Sequence, residues 1–313
     1  SIVPTFRALF SPVSDVAVVF SASFIWPDLL PGLILKVRKP SIRWVVASYL
    51  FVIPPWANYY FGNPFRSFTL YIVQSVALFM MRLFADGVFT ASLKDISRFT
   101  TGNKKLRLKA AAVRGGVDYA FFRDVPEQKI MYDCVFVGRF HPQKNVDELI
   151  TIWKAVVEQS PDRKLAIIGE GYLEEELKEK VKEEKLEKNV VFLGFADGMK
   201  KAKILKSSKV FVSASRFDTG NIALDEALAC GLRGIVYDLP HLFYPAGVIK
   251  VPIGEQDVFV HAILRLLEDE KEYKRLALEG SRFASTLDWD ITAEKALLFI
   301  KEQLVIKSKV IKL

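Results

Sequence analysis

The stretch Val210–Gly231, VFVSASRFDTGNIALDEALACG, decides how this chain folds. It opens on an unbroken apolar run, Val210–Val212, the pattern of a strand covered on both faces. It closes on Ile222–Cys230, which reads as a helix stopped by Gly231. The polar turn between them completes one βα unit.

The same alternation extends outward. Upstream, Cys134–Val137, Leu165–Ile168 and Val190–Leu193 read as strands. They alternate with helical stretches at Val146–Glu158, Leu173–Glu184 and Met199–Lys206. Downstream come a strand at Ile235–Tyr237, helices at Gln256–Leu267 and Glu270–Ser285, and an amphipathic stretch at Ile291–Leu304. Strands and helices alternating at this spacing predict an α/β domain with a parallel sheet. The Glu/Lys-rich run Glu174–Lys188 reads as a solvated face.

The first 130 residues differ. They are rich in Phe, Trp, Pro and Val, and poor in Glu. Short apolar runs at Val16–Phe20, Trp44–Ser48 and Gly87–Ala91 read as strands of a second parallel sheet. Trp44–Phe65 holds no charge, but Pro54, Pro55 and Pro64 interrupt it. Ser67–Met81 is also uncharged, yet shorter than the roughly 20 residues a bilayer-crossing helix needs. That run fits a core helix or one lying in a membrane interface. The nearby cations Lys36, Arg38, Lys39 and Arg43 keep the second option open. A polar linker is expected over Phe122–Tyr132. The expected division is 1–130, 131–285 and a C-terminal crossover helix over 286–313. The missing initiator Met gives the expectation of a start further upstream, and so of a truncated N-terminal domain.

The 313 residues carry a formal charge of +8 and about half are apolar, so two ordered domains are expected. A basic excess points to anionic partners or to a lysine-rich solvated surface. No nucleic-acid recognition motif accompanies it. Two isolated cysteines, Cys134 and Cys230, fit a reducing, cytoplasmic compartment. With three histidines and no ligand spacing, no metal site is expected. Asp288-Trp289-Asp290 reads as a helix start rather than a metal motif.

Ligands of open α/β sheets sit beyond the carboxyl ends of the strands. After Cys134–Val137 come Gly138 and Arg139, then His141 and Lys144. Two cations beside a helix start suit a diphosphate, and surface cations near a loop are the plainer alternative. Gly169-Glu170-Gly171 allows close backbone approach, as does any ordinary turn, and lacks the third glycine of a dinucleotide fingerprint. Asp218 stands at the end of Val210–Val212, and Glu226 lies eight residues on. The N–H groups of Thr219, Gly220, Asn221 and Ile222 are expected to face an anion, with a carboxylate on each side for sugar hydroxyls. A plain helix cap at Asp218 is the alternative.

These motifs resemble the retaining glycosyltransferases of the GT-B fold, in particular family four. Gly138, Arg139 and Lys144 match its Gly-Arg…Lys element. Asp218 and Glu226, with the run Glu226-Ala-Leu-Ala-Cys-Gly231, match its two spaced acids. Ala85–Ser92 and Gly115-Gly116-Val117-Asp118 are also similar. The resemblance implies two Rossmann-like domains and transfer of a sugar from a nucleotide-diphosphate sugar, with no cofactor. It implies that Arg139 and Lys144 hold the diphosphate, that Glu226 binds ribose and that Asp218 contacts the sugar. Gly138, Gly169, Phe195, Gly220, Asn221 and Ile222 would line the donor. The apolar, basic N-terminal part gives the expectation of a sugar or lipid-linked acceptor, and of a cytoplasmic protein with the cytoplasmic membrane face as an option. A non-catalytic sugar-nucleotide-binding protein of this fold is the alternative. Three positions depart from the family pattern. Asp218 stands for the usual Glu, Gly220 falls one place early, and Val45–Leu50 holds no histidine.

Overall fold

A computed structural model describes residues 18–49, 51, 64–100, 109–240 and 242–310. The chain forms two compact units, residues 1–115 with 290–313, and residues 116–289.

The first unit contains β1 (Val18–Ser21), α1 (Trp26–Arg38), β2 (Arg43–Ser48), α2 (Pro64–Phe84), β3 (Gly87–Thr90), α3 (Leu93–Thr100) and β4 (Lys109–Ala112). Its strands form a parallel sheet in the order β1-β2-β3-β4. Asp86 anchors its lower edge, accepting from Lys36 Nζ at 2.6 Å, Arg43 Nη1 at 2.6 Å and the Trp44 amide at 2.9 Å. Two of the four cations considered for lipid contact are thereby turned onto a carboxylate. The uncharged run lies within the long helix α2. One side of that helix, with Ala77 and Met81, is core. The other exposes Phe68, Ile72, Val76, Phe79 and Leu83. No helix among the described residues is long and apolar enough to cross a membrane.

The second unit runs α4 (Tyr119–Asp124), β5 (Tyr132–Val137), a 3₁₀ turn (Pro142–Lys144), α5 (Val146–Gln159), β6 (Leu165–Ile168), α6 (Glu174–Glu183), β7 (Val190–Phe192), α7 (Gly198–Lys206), β8 (Ser208–Ser213), α8 (Ile222–Ala229), β9 (Arg233–Tyr237), β10 (Val248–Val251), α9 (Gln256–Glu268) and α10 (Glu270–Ser285). Its six strands are all parallel, in the order β10-β9-β8-β5-β6-β7. The strand order reverses between β5 and β8, where open α/β sheets hold ligands. Cys134 pairs with Leu165 on one side and Val210 on the other, and the consecutive residues Cys134, Val135 and Phe136 are all buried, so this middle strand is covered on both faces.

The division differs from the expected one at 130. Phe122 and Val125, inside the expected linker, are buried in the core of the second unit. Val117 bridges to Asp288, and Tyr119 donates its amide to Asp288 Oδ2 at 3.3 Å. The last helix, α11 (Trp289–Val310), groups almost entirely with the first unit, where Phe299 packs on Phe89 at 5.2 Å between ring centroids.

The two units divide the charge unevenly. Residues 1–115 and 290–313 hold 19 Lys and Arg against 7 Asp and Glu, whereas residues 116–289 hold 25 against 29. The basic character of the chain belongs to the first unit.

Candidate active site

The loops after β5, β6, β7 and β8 build the candidate site. β5 ends at Val137, and Gly138 donates its amide to Ile168 O at 3.0 Å. Gly169 follows β6 with φ of +146°, and a Cβ there would lie 1.9 Å from Gly138 O. A Cβ on Gly171 would lie 2.5 Å from Phe140 O. The glycines of the Gly169-Glu170-Gly171 motif thus let two loops press backbone against backbone, and Phe140 N donates to Glu170 O at 2.9 Å across the seam.

Lys144 ends the 3₁₀ turn. The next residue, Asn145, takes the left-handed conformation at φ 52° and starts α5. This reversal sends the Lys144 ammonium across to the β8 loop, where Nζ lies 2.6 Å from Asp218 Oδ2. Both side chains are largely buried. A basic and an acidic residue 74 positions apart are thus joined.

The turn into α8 uses its donors differently from expectation. Thr219 N and Gly220 N point to the carboxylate of Asp218 itself, at 3.0 and 3.4 Å. Ile222 N bonds Gly220 O at 3.0 Å. Asn221 caps α8, accepting from Leu224 N at 3.2 Å. Asp218 therefore holds its own turn and pairs with Lys144, and the cap of α8 is Asn221 rather than Asp218. Tyr244 steadies the same turn from below, donating to Asn221 O or Asp225 Oδ1 at 3.0 and 2.8 Å.

Glu226, one turn into α8, meets neither Arg139 nor Lys144. Its partner is Lys201 of α7, with Nζ at 2.7 Å from Oε1. Asp197, the cap of α7, lies 3.4 Å from the same ammonium. Burial raises the Glu226 carboxyl above its ordinary pKa, and the Lys201 ammonium offsets only part of that. Arg139 is exposed and has no side-chain partner among the described residues. Phe195, beyond β7, and Ile222 are also exposed, at 62% and 46%. His141 accepts from Gln143 N through Nδ1 at 3.2 Å and packs edge-on against Tyr172.

The arrangement provides a paired cation at Lys144, an exposed cation at Arg139, and two buried carboxylates eight residues apart on the β8–α8 segment. Lys201 was not picked out from sequence. It is one of four lysines between 200 and 206, and only the capped register of α7 turns it inward.

Comparison with known proteins defines the class. Residues 121–282 match the family model of the glycosyl transferases group 1, and the chain belongs to that family. A phosphatidyl-myo-inositol mannosyltransferase of Mycolicibacterium smegmatis is 27% identical over 199 residues, covering 60% of this chain and 50% of the relative. The amylovoran biosynthesis glycosyltransferase AmsD of Erwinia amylovora is 32% identical over 146 residues, covering 45% and 40%. The chain spans half or less of the length of these relatives. Among solved structures, Anabaena HepE in complex with UDP-glucose superposes with a TM-score of 0.74 at 15% identity, covering 96% of this chain and 81% of that one. TarM superposes with a TM-score of 0.72 at 15% identity, covering 94% and 57%. These likenesses bear out the GT-B type α/β fold.

Proposed function

We propose that this protein transfers a sugar, with retention, from a nucleotide-diphosphate sugar to an acceptor. The observation that carries the reading is the meeting of Lys144 and Asp218 where the strand order reverses. As the bond from anomeric carbon to phosphate oxygen breaks, its electron pair leaves on the diphosphate. Lys144, held in place by Asp218, and the exposed Arg139 oppose that growing negative charge. Asp218 and Glu226 accept hydrogen bonds from sugar and ribose hydroxyls. The acceptor oxygen bonds the anomeric carbon on the face the diphosphate leaves, and its proton passes to the departing phosphate oxygen. Glycines 138, 169 and 220 and the exposed Phe195 border the donor. The retention rests on the family that the motifs resemble, and NMR of the product anomer tests it.

The deciding measurement is calorimetric titration with UDP, UDP-glucose and a panel of other nucleotide sugars. Arg139→Ala and Glu226→Ala are each expected to weaken donor binding about tenfold or more, the worth of a charge-assisted hydrogen bond. Wild-type affinity in both variants overturns the assignment. The rival reading is a non-catalytic sugar-nucleotide-binding protein, which the absence of a histidine in β2 and the short Asp218 favour. Donor binding without transfer or hydrolysis would select it.

The acceptor side belongs to the first unit. We infer a lipid-linked acceptor at an anionic membrane surface on the cytoplasmic side. The cationic excess of that unit and the exposed apolar side of α2 support it. Two buried free thiols fit a reducing compartment. Flotation with vesicles rich in phosphatidylglycerol tests it, and failure to bind them overturns it.

A further inference from the structure

The loops carrying Lys144 and Asp218 converge on one carboxylate that belongs to neither. Glu148 lies in the first turn of α5 and is 5% exposed. Its Oε2 faces the two loops. It accepts from Asn145 Nδ2 and from Arg216 Nε and Nη2 at 3.1 and 2.8 Å. Its Oε1 faces away from them, accepting from Tyr237 Oη of β9 at 2.6 Å and from Gln256 Nε2 of α9 at 3.3 Å.

Further bonds close the seam between the loops. Asn145 Nδ2 reaches Ala214 O at 3.1 Å, Gln143 Nε2 reaches Phe217 O at 3.1 Å, and Arg216 N reaches Gln143 O at 3.3 Å. Asn145 immediately follows Lys144, and Arg216 precedes Asp218 by two residues. Glu148 therefore ties the neighbour of each site residue to one fixed point.

A buried carboxylate is a costly way to stabilise a core, since an apolar residue of similar volume packs there without desolvation. A carboxylate accepts about four hydrogen bonds, and the donors around Glu148 fill that capacity. What it provides is directional: one oxygen receives both loops, so their separation is set by hydrogen-bond geometry rather than by packing. The pKa direction agrees. Burial raises the Glu148 carboxyl, but bonds from Tyr237, Arg216 and Asn145 outweigh it and hold it below its ordinary value.

We propose that Glu148 is the positioning residue of this site, fixing the β5 and β8 loops in register so that Lys144 and Asp218 face the donor at a set spacing. Its kinetic consequence rests on the sugar-transfer reading, whereas its effect on the loops does not.

The test compares Glu148→Gln, Arg216→Met and Tyr237→Phe in the full chain. Tyr237→Phe removes a bond to the same carboxylate on the side away from the loops. Displacing groups that act in the transition state lowers kcat more than ground-state binding, so Glu148→Gln and Arg216→Met are expected to lower kcat about tenfold or more, with donor KM moving about threefold or less. Tyr237→Phe is expected to lower Tm while kcat stays within about twofold. Amide exchange at Thr219 and Gly220 should quicken in the first two variants and not in the third. Wild-type kcat in Glu148→Gln, or an equal loss of kcat in Tyr237→Phe at matched Tm, overturns the proposal. If Glu148→Gln does not fold, Arg216→Met, at a half-exposed position, carries the same comparison. If the wild type transfers no sugar, the sugar-transfer reading fails. The exchange rates then decide the positioning role alone, and unchanged rates in Arg216→Met overturn it.

Discussion

The two units of this chain treat charge in opposite ways. In residues 116–289 acids and bases nearly balance, and the ones that matter are matched inside: Lys144 with Asp218, Lys201 with Glu226, Arg216 with Glu148. In the other unit cations outnumber acids by more than two to one, and a row of Phe, Ile, Val and Leu side chains on α2 stays exposed. Under the proposed function, the first pattern would read a small ligand through buried geometry, and the second would meet an extended surface through composition. A pI of about 9.2 averages the two and describes neither.

Substitutions can break this contrast from either side. The largest effect is expected at Gly169, where a Cβ would overlap Gly138 O and φ is +146°. Gly169→Ala should destabilise the second unit by about 3 kcal/mol, the upper range for steric and backbone strain, and abolish donor binding. Urea unfolding and calorimetry measure both, and an unchanged midpoint would show that the loops can part without cost. Next comes Lys201→Met, which leaves a buried carboxylate without its ammonium and should cost about 2 kcal/mol. Glu226 already sits above its ordinary pKa, so in this variant donor affinity should begin to fall at a higher pH as the medium is acidified. Titration of affinity against pH in both proteins checks the direction.

A smaller effect separates Glu148 from Glu226. A carboxyl held below its ordinary value of 4.5, as at Glu148, contributes stability that is complete above that value. This contribution fades as pH falls through the lower folded pKa. The stability gap between wild type and Glu148→Gln should therefore narrow below about pH 4.5, as acid denaturation curves would reveal. The smallest change in stability is expected on α2. Phe79→Ser with Ile72→Ser, both at exposed positions, should move stability by about 0.5 kcal/mol or less while reducing vesicle binding severalfold. Added salt should weaken the remaining binding, because the cationic contribution is screened. A Tm loss of many degrees in this double variant would mean that the α2 row is core.

Much of the second unit was legible in the sequence because most βα units there announce themselves by an apolar run, a glycine or polar turn, and a periodic helix. Lys144 and Asp218 stood out for the same reason, each following a strand. What stayed hidden depends on helix rotation. Lys201 looks like its neighbours until the Asp197 cap fixes which lysine faces α8. Glu148 reads as an ordinary first-turn acid, favourable at any helix start, and only the folded loops reveal its four partners. The boundary between the units was misplaced because Phe122 and Val125 sit among polar residues, where two apolar side chains carry little periodic signal. The strand β10 escaped notice because Lys250 interrupts its apolar run. The cation cluster at Lys36–Arg43 was visible in the first unit, but the uneven count of its acids and bases became visible only once the units were delimited.

The Lys144–Asp218 contact has a consequence for how a donor arrives. Its phosphate would enter a place where a carboxylate already neutralises the ammonium, so binding is an exchange of one anion for another. Under the proposed function, Asp218 would be released from the cation as its oxygens are wanted by sugar hydroxyls. Arrival of the phosphate and capture of the sugar would thereby be coupled through a single side chain, and a bare diphosphate would leave that carboxylate only the Thr219 and Gly220 amides to hold.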